Sequence, residues 1–308
     1  MLAMRLKPFF LNFTGWLAAK RFFRFKPEQF KYSASLDWFV TLDCNLSCAY
    51  CTSISNWKID RTAMGVSSKL VKSLNETDRI FHVIVTGGEP FLSPNLMEIL
   101  ESLTKRHYIS INTNLTLPNI EDFSERISPK RVVAVLASFH AFELERRQYL
   151  SKYIKNLSIL KRKGFNVSVK AVAYPPLLNR VNHYREIFRE AKVSMVFTSF
   201  RGVYQGRKYP QAYTKEEIEA FSLSDISLFT LPHRGEICNA GYNFAFCWEN
   251  GDVTPCHRRD MRRIGSLEKG IKFNDDLMVC PYEFCACPRC VYDPYLFNKA
   301  LREKGMSA

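Results

Sequence analysis

Residues 36–51 read LDWFVTLDCNLSCAYC, an apolar, β-branched run that passes directly into three closely spaced cysteines. Its first half has the composition of a buried strand, and its second half is a loop at that strand's carboxyl end. Working outward, five more strand-like runs follow at 79–87, 108–114, 131–139, 165–174 and 193–200. Helical stretches separate them at 66–76, 94–106, 119–127, 143–163 and 179–192. This alternation predicts the α/β class with a parallel sheet. Six such units are too few for a complete eight-fold barrel, so the expected architecture is a partial (β/α)6 TIM-like barrel. Chemistry in that architecture collects in the loops after the strands' carboxyl ends, which is where Cys44, Cys48 and Cys51 fall.

Local signals sharpen the boundaries. Ser67 and Ser93 suit helix N-caps, Pro94 suits a first helical turn, and Gly164 suits a helix stop. Beyond Phe200 the rhythm breaks into RGVYQGRKYPQAYT (201–214), before a helix near 215–221. Three regions result: a basic amphipathic N-terminal segment (1–34), the barrel (35–235), and a small C-terminal cysteine-rich cluster-binding domain ending in a helix (236–308). A chain of 308 residues suits one large domain with a smaller appendage.

Hydrophobic residues make up 46% and charged residues 24%, which excludes disordered and fibrous classes and allows a sizeable core. A net charge of +14 favours acidic partners, whether nucleic acid, an anionic membrane or an acidic redox protein. Part of this surplus is local, because the first 31 residues hold seven basic residues against Glu28 alone. The apolar tract PFFLNFTGWLAA (8–19) is well short of the roughly 20 residues that span a bilayer. Interleaved with Arg and Lys over 5–26, it reads either as an amphipathic helix touching a membrane surface or substrate, or as a helix packed across the barrel's base. The following KRFFRFK leaves no clean small-residue cleavage site, so a cytoplasmic location is expected.

Ten cysteines are split into three within 44–51 and seven beyond position 237. That division suggests two metal sites in a reducing compartment. Three thiolates on one tight loop can hold three irons of a [4Fe–4S] cluster and leave the fourth open to a small molecule. A zinc site normally requires four protein ligands. CNLSCAYC (44–51) resembles the signature of the radical S-adenosylmethionine (SAM) superfamily, with an aromatic residue before the third cysteine. Gly87-Gly88-Glu89-Pro90, about 36 residues further on and after a strand, resembles that superfamily's GGEP motif.

The resemblance implies that Cys44, Cys48 and Cys51 ligate the cluster and that its open iron takes the amino and carboxylate groups of SAM. One electron then cleaves SAM, and a 5′-deoxyadenosyl radical abstracts a substrate hydrogen. It further implies that the GGEP backbone and Glu89 receive the methionine ammonium. Tyr50 would lie by the adenine, and Asn112, Asn114 and Ser138 near the ribose or carboxylate. An electron donor of flavodoxin or ferredoxin type is implied as well.

Near the C-terminus, Cys238, Cys247, Gly251 and Cys256 give C-x12-G-x4-C, followed by Cys280, Cys285, Cys287 and Cys290. This resembles the SPASM and shorter twitch auxiliary-cluster domains, with Gly251-Asp252 as a hairpin turn. The final C-x4-C-x-C-x2-C departs from a full SPASM pattern, and seven cysteines cannot supply two four-thiolate clusters. One auxiliary [4Fe–4S] cluster on Cys238, Cys256, Cys287 and Cys290 is the simplest assignment. Cys247, Cys280 and Cys285 then remain as core thiols or as a second site, and a zinc ribbon is the structural alternative. Arg258, Arg259, Arg262 and Arg263 follow Cys256 either as an aid to cluster reduction or donor docking, or as a solvated loop.

His82, His140, Lys170, Tyr174, Arg201 and Tyr204 fall near strand ends or in the following loop, with 199–202 as a candidate specificity loop. SPASM relatives modify ribosomally made peptides, which makes a peptide substrate attractive. About 34 residues before the first strand are too few for a winged-helix recognition element, so a separate recognition protein is expected. Twitch relatives include sugar and other small-molecule dehydrogenases, the competing substrate class. A zinc-stabilised nucleic-acid-binding protein is the reading from a different class, but no dense basic-aromatic groove is visible and the first cysteine triplet would go unexplained.

Overall fold

The computed structural model describes residues 30–51, 69–223, 234–283 and 294–306. The expected N-terminal amphipathic segment lies outside the described residues apart from 30–34, as do Ser67, Cys285, Cys287 and Cys290.

All six expected strands form: β1 (Ala34–Phe39), β2 (Phe81–Thr86), β3 (Tyr108–Thr113), β4 (Val132–Phe139), β5 (Val167–Ala173) and β6 (Met195–Ser199). They pair in parallel and in sequence order. Helices α1 (Lys69–Asn75), α2 (Leu96–Thr104), α3 (Ile120–Arg126), α4 (Ala141–Arg146), α5 (Leu150–Arg162) and α6 (Val181–Glu190) lie between the strands. The result is the partial (β/α)6 barrel.

Strand side chains alternate between two faces. On one face Leu36, Trp38, Val83, Val85, Ile109, Ile111, Val135 and Ala137 join Leu70, Leu100, Leu103, Leu157 and Leu160 of the helices in the main core. On the other, Thr86, Asn112, Ser138, Lys170 and Thr198 line a cavity toward the strands' carboxyl ends. The apolar face buries the helices, and the polar face is left for binding.

Two local expectations need correction. The stretch 143–163 is not one helix, because α4 ends at Arg146 and α5 begins at Leu150, with Gln148 between them at φ +57°. The break lets α4 follow the rim of the barrel while α5 runs back along its outside, where the Tyr153 hydroxyl donates to the Ala137 carbonyl at 3.0 Å. Nor do Ser93 and Pro94 open α2. Ser93 closes a separate 3-10 turn (Pro90–Leu92) by donating its N–H to the Pro90 carbonyl, and α2 starts after Asn95. The Glu89 carboxylate starts that turn by accepting the Phe91 N–H. Gly164, at φ +85°, ends α5 as expected.

After β6 the chain forms a hairpin of β7 (Gly202–Tyr204) and β8 (Arg207–Tyr209), then α7 (Lys215–Phe221). The C-terminal part contributes β9 (Ile237–Cys238), β10 (Phe244–Cys247), β11 (Asp252–Thr254), β12 (Gly265–Ser266), β13 (Gly270–Ile271), β14 (Met278–Val279) and α8 (Pro294–Glu303). Strand β10 pairs in parallel with β1, setting Leu36 opposite Ala245 and Trp38 opposite Cys247. β11, β12 and β13 continue the same sheet. The hairpin between β10 and β11 turns at Trp248–Gly251, where the Gly251 N–H reaches the Trp248 carbonyl at 2.9 Å and Gly251 has φ +82°.

Because β10 is laid into the barrel's sheet, the C-terminal region and the barrel should unfold together. Far-UV circular dichroism and tryptophan fluorescence are expected to give one coincident urea transition. Two separated transitions would show that the β1–β10 pairing does not couple them.

Candidate active site

The loop after β1 carries the three cysteines, and it is fastened to the loop after β2 by main-chain hydrogen bonds. Gly88 N–H donates to the Thr41 carbonyl at 2.7 Å, and Glu89 N–H to the Asp43 carbonyl at 2.7 Å. The approach is so close that a Cβ on Gly87 would lie 2.3 Å from the Thr41 oxygen, and one on Gly88 2.1 Å from the Asp43 oxygen. Both glycines are therefore required by the protein's own backbone, whatever a ligand adds.

Glu89 is 1% exposed and its carboxylate ties this loop to the end of β3. It accepts from the Thr113 hydroxyl at 2.8 Å and from the Asn114 N–H at 2.7 Å. Burial nevertheless outweighs these donors and pushes its pKa up to about 7. The Asn114 amide in turn donates to Asn45 at 2.9 Å and faces the Cys44 sulfur at 4.0 Å. Thr116 closes this network, receiving from Asn45 at 2.8 Å and donating to Asn114 at 2.6 Å.

On its other side the cysteine loop is held by α4. The Ser47 N–H donates to Glu143 at 3.0 Å, and the Tyr50 hydroxyl is hydrogen-bonded to His140 Nδ1 at 3.1 Å. Glu143 is 9% exposed and accepts from Arg146 and Arg147, which hold its carboxyl down at about 2. Desolvation lowers His140 to about 4, so it is a neutral imidazole at physiological pH. Nothing in the sequence distinguished Glu143, since ELERR reads as an ordinary solvated helix.

Cys44, Cys48, Cys51, Tyr50, Gly87, Gly88, Glu89, Asn112, Asn114 and Ser138 all line one cavity of about 300 Å³, joined by His140 and Lys170. Pro90 is buried beside it as the first residue of the 3-10 turn. Burial raises the Cys48 thiol to about 12 and the Cys44 thiol in the same direction, so both stay protonated until a metal displaces the proton. Asn112 donates to Thr86 at 3.1 Å, but its buried Oδ1 has no hydrogen-bond partner among the described residues. A buried acceptor of this kind calls for a donor from a bound ligand. The three thiols, the enclosed carboxylate and this open acceptor suit a metal cluster together with a small polar cofactor.

Other sequence candidates lie elsewhere. His82 sits near the start of β2, bonded to Ser110 at 2.8 Å and packed on Tyr32. Tyr174 stands behind Tyr50 in an aromatic group with Phe142, Phe200 and Tyr204. Within 199–202, Phe200 is buried, while the neighbouring Thr198 reaches the cavity.

Of the seven C-terminal cysteines, Cys247 is wholly buried in the main core, which makes it a core thiol. Cys238 and Cys256 instead share a second apolar group with Ala240, Phe244, Phe246 and Trp248. The Cys238 sulfur accepts the Ala240 N–H at 3.4 Å, just as Cys44 accepts the Leu46 N–H at 3.4 Å. Arg258 pairs with Asp260, Arg259 with Glu249, and Arg263 with Asp252, while Arg262 is exposed.

The profile of the Radical SAM superfamily matches residues 38–191. The mycofactocin maturase MftC of Mycolicibacterium smegmatis is 26% identical over 164 residues, covering 53% of this chain and 37% of the maturase. The 7-carboxy-7-deazaguanine synthase of Aquifex aeolicus is 32% identical over 135 residues, covering 41% and 56%. The chain thus spans between about a third and somewhat over half of the lengths of these relatives. Among solved structures, anSMEcpe with bound AdoMet has a TM-score of 0.58 at 21% identity, covering 76% of this chain and 78% of that one. SuiB of Streptococcus suis bound to S-adenosylmethionine has a TM-score of 0.55 at 18% identity, covering 77% and 64%. These structural likenesses show the fold.

Glu143→Ala removes the acceptor of the Ser47 N–H and is expected to cost about 1–3 kcal/mol in urea unfolding. Glu143→Gln keeps an acceptor and should cost less; equal losses would mean that charge alone matters. For Glu89, the folded pKa of about 7 lies above the unfolded value of 4.5. The unfolded chain therefore loses this proton first, and the stability of the cluster-free protein should fall as pH rises from 4.5 to about 7. Urea titrations across that range should show this component of the slope disappear in Glu89→Gln.

Proposed function

The chain belongs to the radical SAM superfamily, and from that premise we propose that it is an enzyme using SAM and two iron–sulfur clusters to oxidise or otherwise modify a peptide. One observation carries the reading: a single cavity gathers Cys44, Cys48 and Cys51, the GGEP loop and the ends of β3 and β4. When bound, a [4Fe–4S] cluster and SAM supply one-electron cleavage to a 5′-deoxyadenosyl radical, which takes a hydrogen from the substrate.

The residues present fit that assignment. Cys44, Cys48 and Cys51 would hold the cluster. The Glu89 carboxylate, enclosed in the cavity wall, complements the ammonium end of SAM, and Lys170 complements its carboxylate. Asn112 Oδ1 offers an acceptor to a ribose hydroxyl. Tyr50, set by His140 and backed by Tyr174, presents an aromatic face for the adenine. The glycine-bonded loop and α4 keep the three thiols in place.

Support for the auxiliary cluster comes from Cys238 and Cys256 in one apolar group, with an N–H already directed at the Cys238 sulfur. Cys287 and Cys290 would complete its ligands. Peptide modification is supported by the MftC relationship and by the fold likeness to SuiB, which has been solved with the precursor peptide SuiA. The 7-carboxy-7-deazaguanine synthase matches favour a small molecule as the second reading. A flavodoxin- or ferredoxin-type donor in the reducing cytoplasm would deliver the electron. No helix among the described residues is long and apolar enough to cross a membrane.

Anaerobic reconstitution followed by iron and sulfide analysis tests the two-cluster reading. About eight irons per chain are expected, falling to about four in a Cys44/Cys48/Cys51→Ala variant. Zinc without sulfide would overturn the radical mechanism.

A further inference from the structure

In a barrel of strand–helix units the helices run back against the strands, so helix ends and strand starts share one face, opposite the cavity. Side-chain contacts tie that base together. Arg106 donates to the Asn75 carbonyl at the end of α1 at 3.4 Å, and Arg131, just ahead of β4, donates to the Arg106 carbonyl at 3.5 Å. Lys161, near the end of α5, donates to the Ala191 and Lys192 carbonyls beyond α6, at 2.8 and 2.6 Å. The chain also enters the barrel here. Phe30 meets the Tyr108 ring edge-on with centroids 5.4 Å apart, and Arg131 lies 5.0 Å over the same ring.

Positive charge collects on this base. Lys31, Lys105, Lys130, Arg162 and Lys192 are exposed and form no ion pair among the described residues. Of the acidic residues on the same element ends, Glu76, Asp78 and Glu125 are engaged by Lys72, Arg106 and Lys163, which leaves Glu190. Around the cavity, by contrast, Arg146, Arg147 and Arg180 are each bound to Glu143 or Glu145. Cations in a last helical turn complement the helix dipole. That role accounts for Lys105, Arg162 and Lys192 at most, because Lys31 and Lys130 stand ahead of strands β1 and β4.

We propose that the base of the barrel is a docking face for an anionic lipid surface, which leaves the cavity facing away from the bilayer. Two independent features select lipid over other polyanions. The five cations come from five separate elements around one end of the barrel, a broad layout suited to a charged plane. The sequence that joins the barrel at this same end, residues 1–29, carries six basic residues against Glu28 alone, together with six Phe and Trp16. Phosphates alone have no use for that apolar content, whereas a membrane interface takes cations at its headgroups and aromatic side chains at its acyl boundary. The proposal draws on no residue of the cavity and holds whatever reaction is carried out there.

The test is co-sedimentation of the full chain with phosphatidylcholine vesicles, with and without about 30% phosphatidylserine. Binding is expected only with phosphatidylserine, and raising salt from about 0.05 to 0.5 M should release the protein. Lys105/Lys130/Arg162/Lys192→Ala should weaken partitioning by at least about tenfold. Lys152/Lys155/Lys208/Lys215→Ala removes as many exposed positive charges away from the base and should weaken it much less. Far-UV circular dichroism of both variants checks that these surface changes leave the fold intact, and the salt response of the unaltered chain gives a reading that needs no variant. Equal loss in the two variants would overturn the proposal, since net charge alone would then be at work. No loss in the base variant would overturn it as well and leave the contact to residues 1–29. So would salt-insensitive binding, binding to neutral vesicles, or anisotropy of a labelled duplex oligonucleotide showing tight binding where vesicles give none.

Discussion

Two main-chain hydrogen bonds, from Gly88 to Thr41 and from Glu89 to Asp43, join the loop after β2 to the segment that delivers Cys44. They form only because two consecutive residues lack a Cβ, and at 2.1 Å from the Asp43 oxygen no side chain fits at position 88. This contact sets the distance between the thiols and the carboxylate that share the cavity. Glu89 then fixes the end of β3 through Thr113 and Asn114, and Asn114 returns to Asn45 beside the first cysteine. The site is a closed circuit, β1 loop to β2 loop to β3 end and back, in which each polar group is positioned by the next.

A circuit of this kind restrains only one side of an eight-residue loop. The other side depends on α4, where Glu143 receives the Ser47 N–H and His140 meets Tyr50. Had the chain run as a continuous helix from 143 to 163, its first turn could not follow the barrel rim while its last packed along the wall. The positive φ of Gln148 resolves that conflict.

The barrel was legible in the sequence because strand periodicity and burial agree, as in LDWFVTLD, where Leu36 and Trp38 enter the core and Asp37 does not. The cavity was legible because cysteines and a double glycine have few other uses at strand ends. Glu143 and the joining of β10 to β1 were not, since both depend on contacts between residues about 100 and 200 positions apart. FAFC (244–247) reads equally well as part of a separate small domain. Its parallel partner is decided by where the chain returns, and no local pattern records that. His82 shows the reverse error, because it falls in a strand-like run whose carboxyl end is functional but occupies the opposite end of the strand.

Charge gave the least direct information, and the structure explains why. Four arginines in 258–263 look like a docking patch for an acidic partner, yet three of them meet carboxylates of the same region. The formal surplus of +14 therefore overstates the field around the second cysteine group. Of these carboxylates only Glu249 is enclosed, at 2% exposure, while its partner Arg259 stays 37% exposed. At the first site burial, rather than any neighbouring charge, is the largest influence on Glu89. Enclosure thus works on Glu89 toward its protonated form, against the Thr113 and Asn114 donors that favour the charged one.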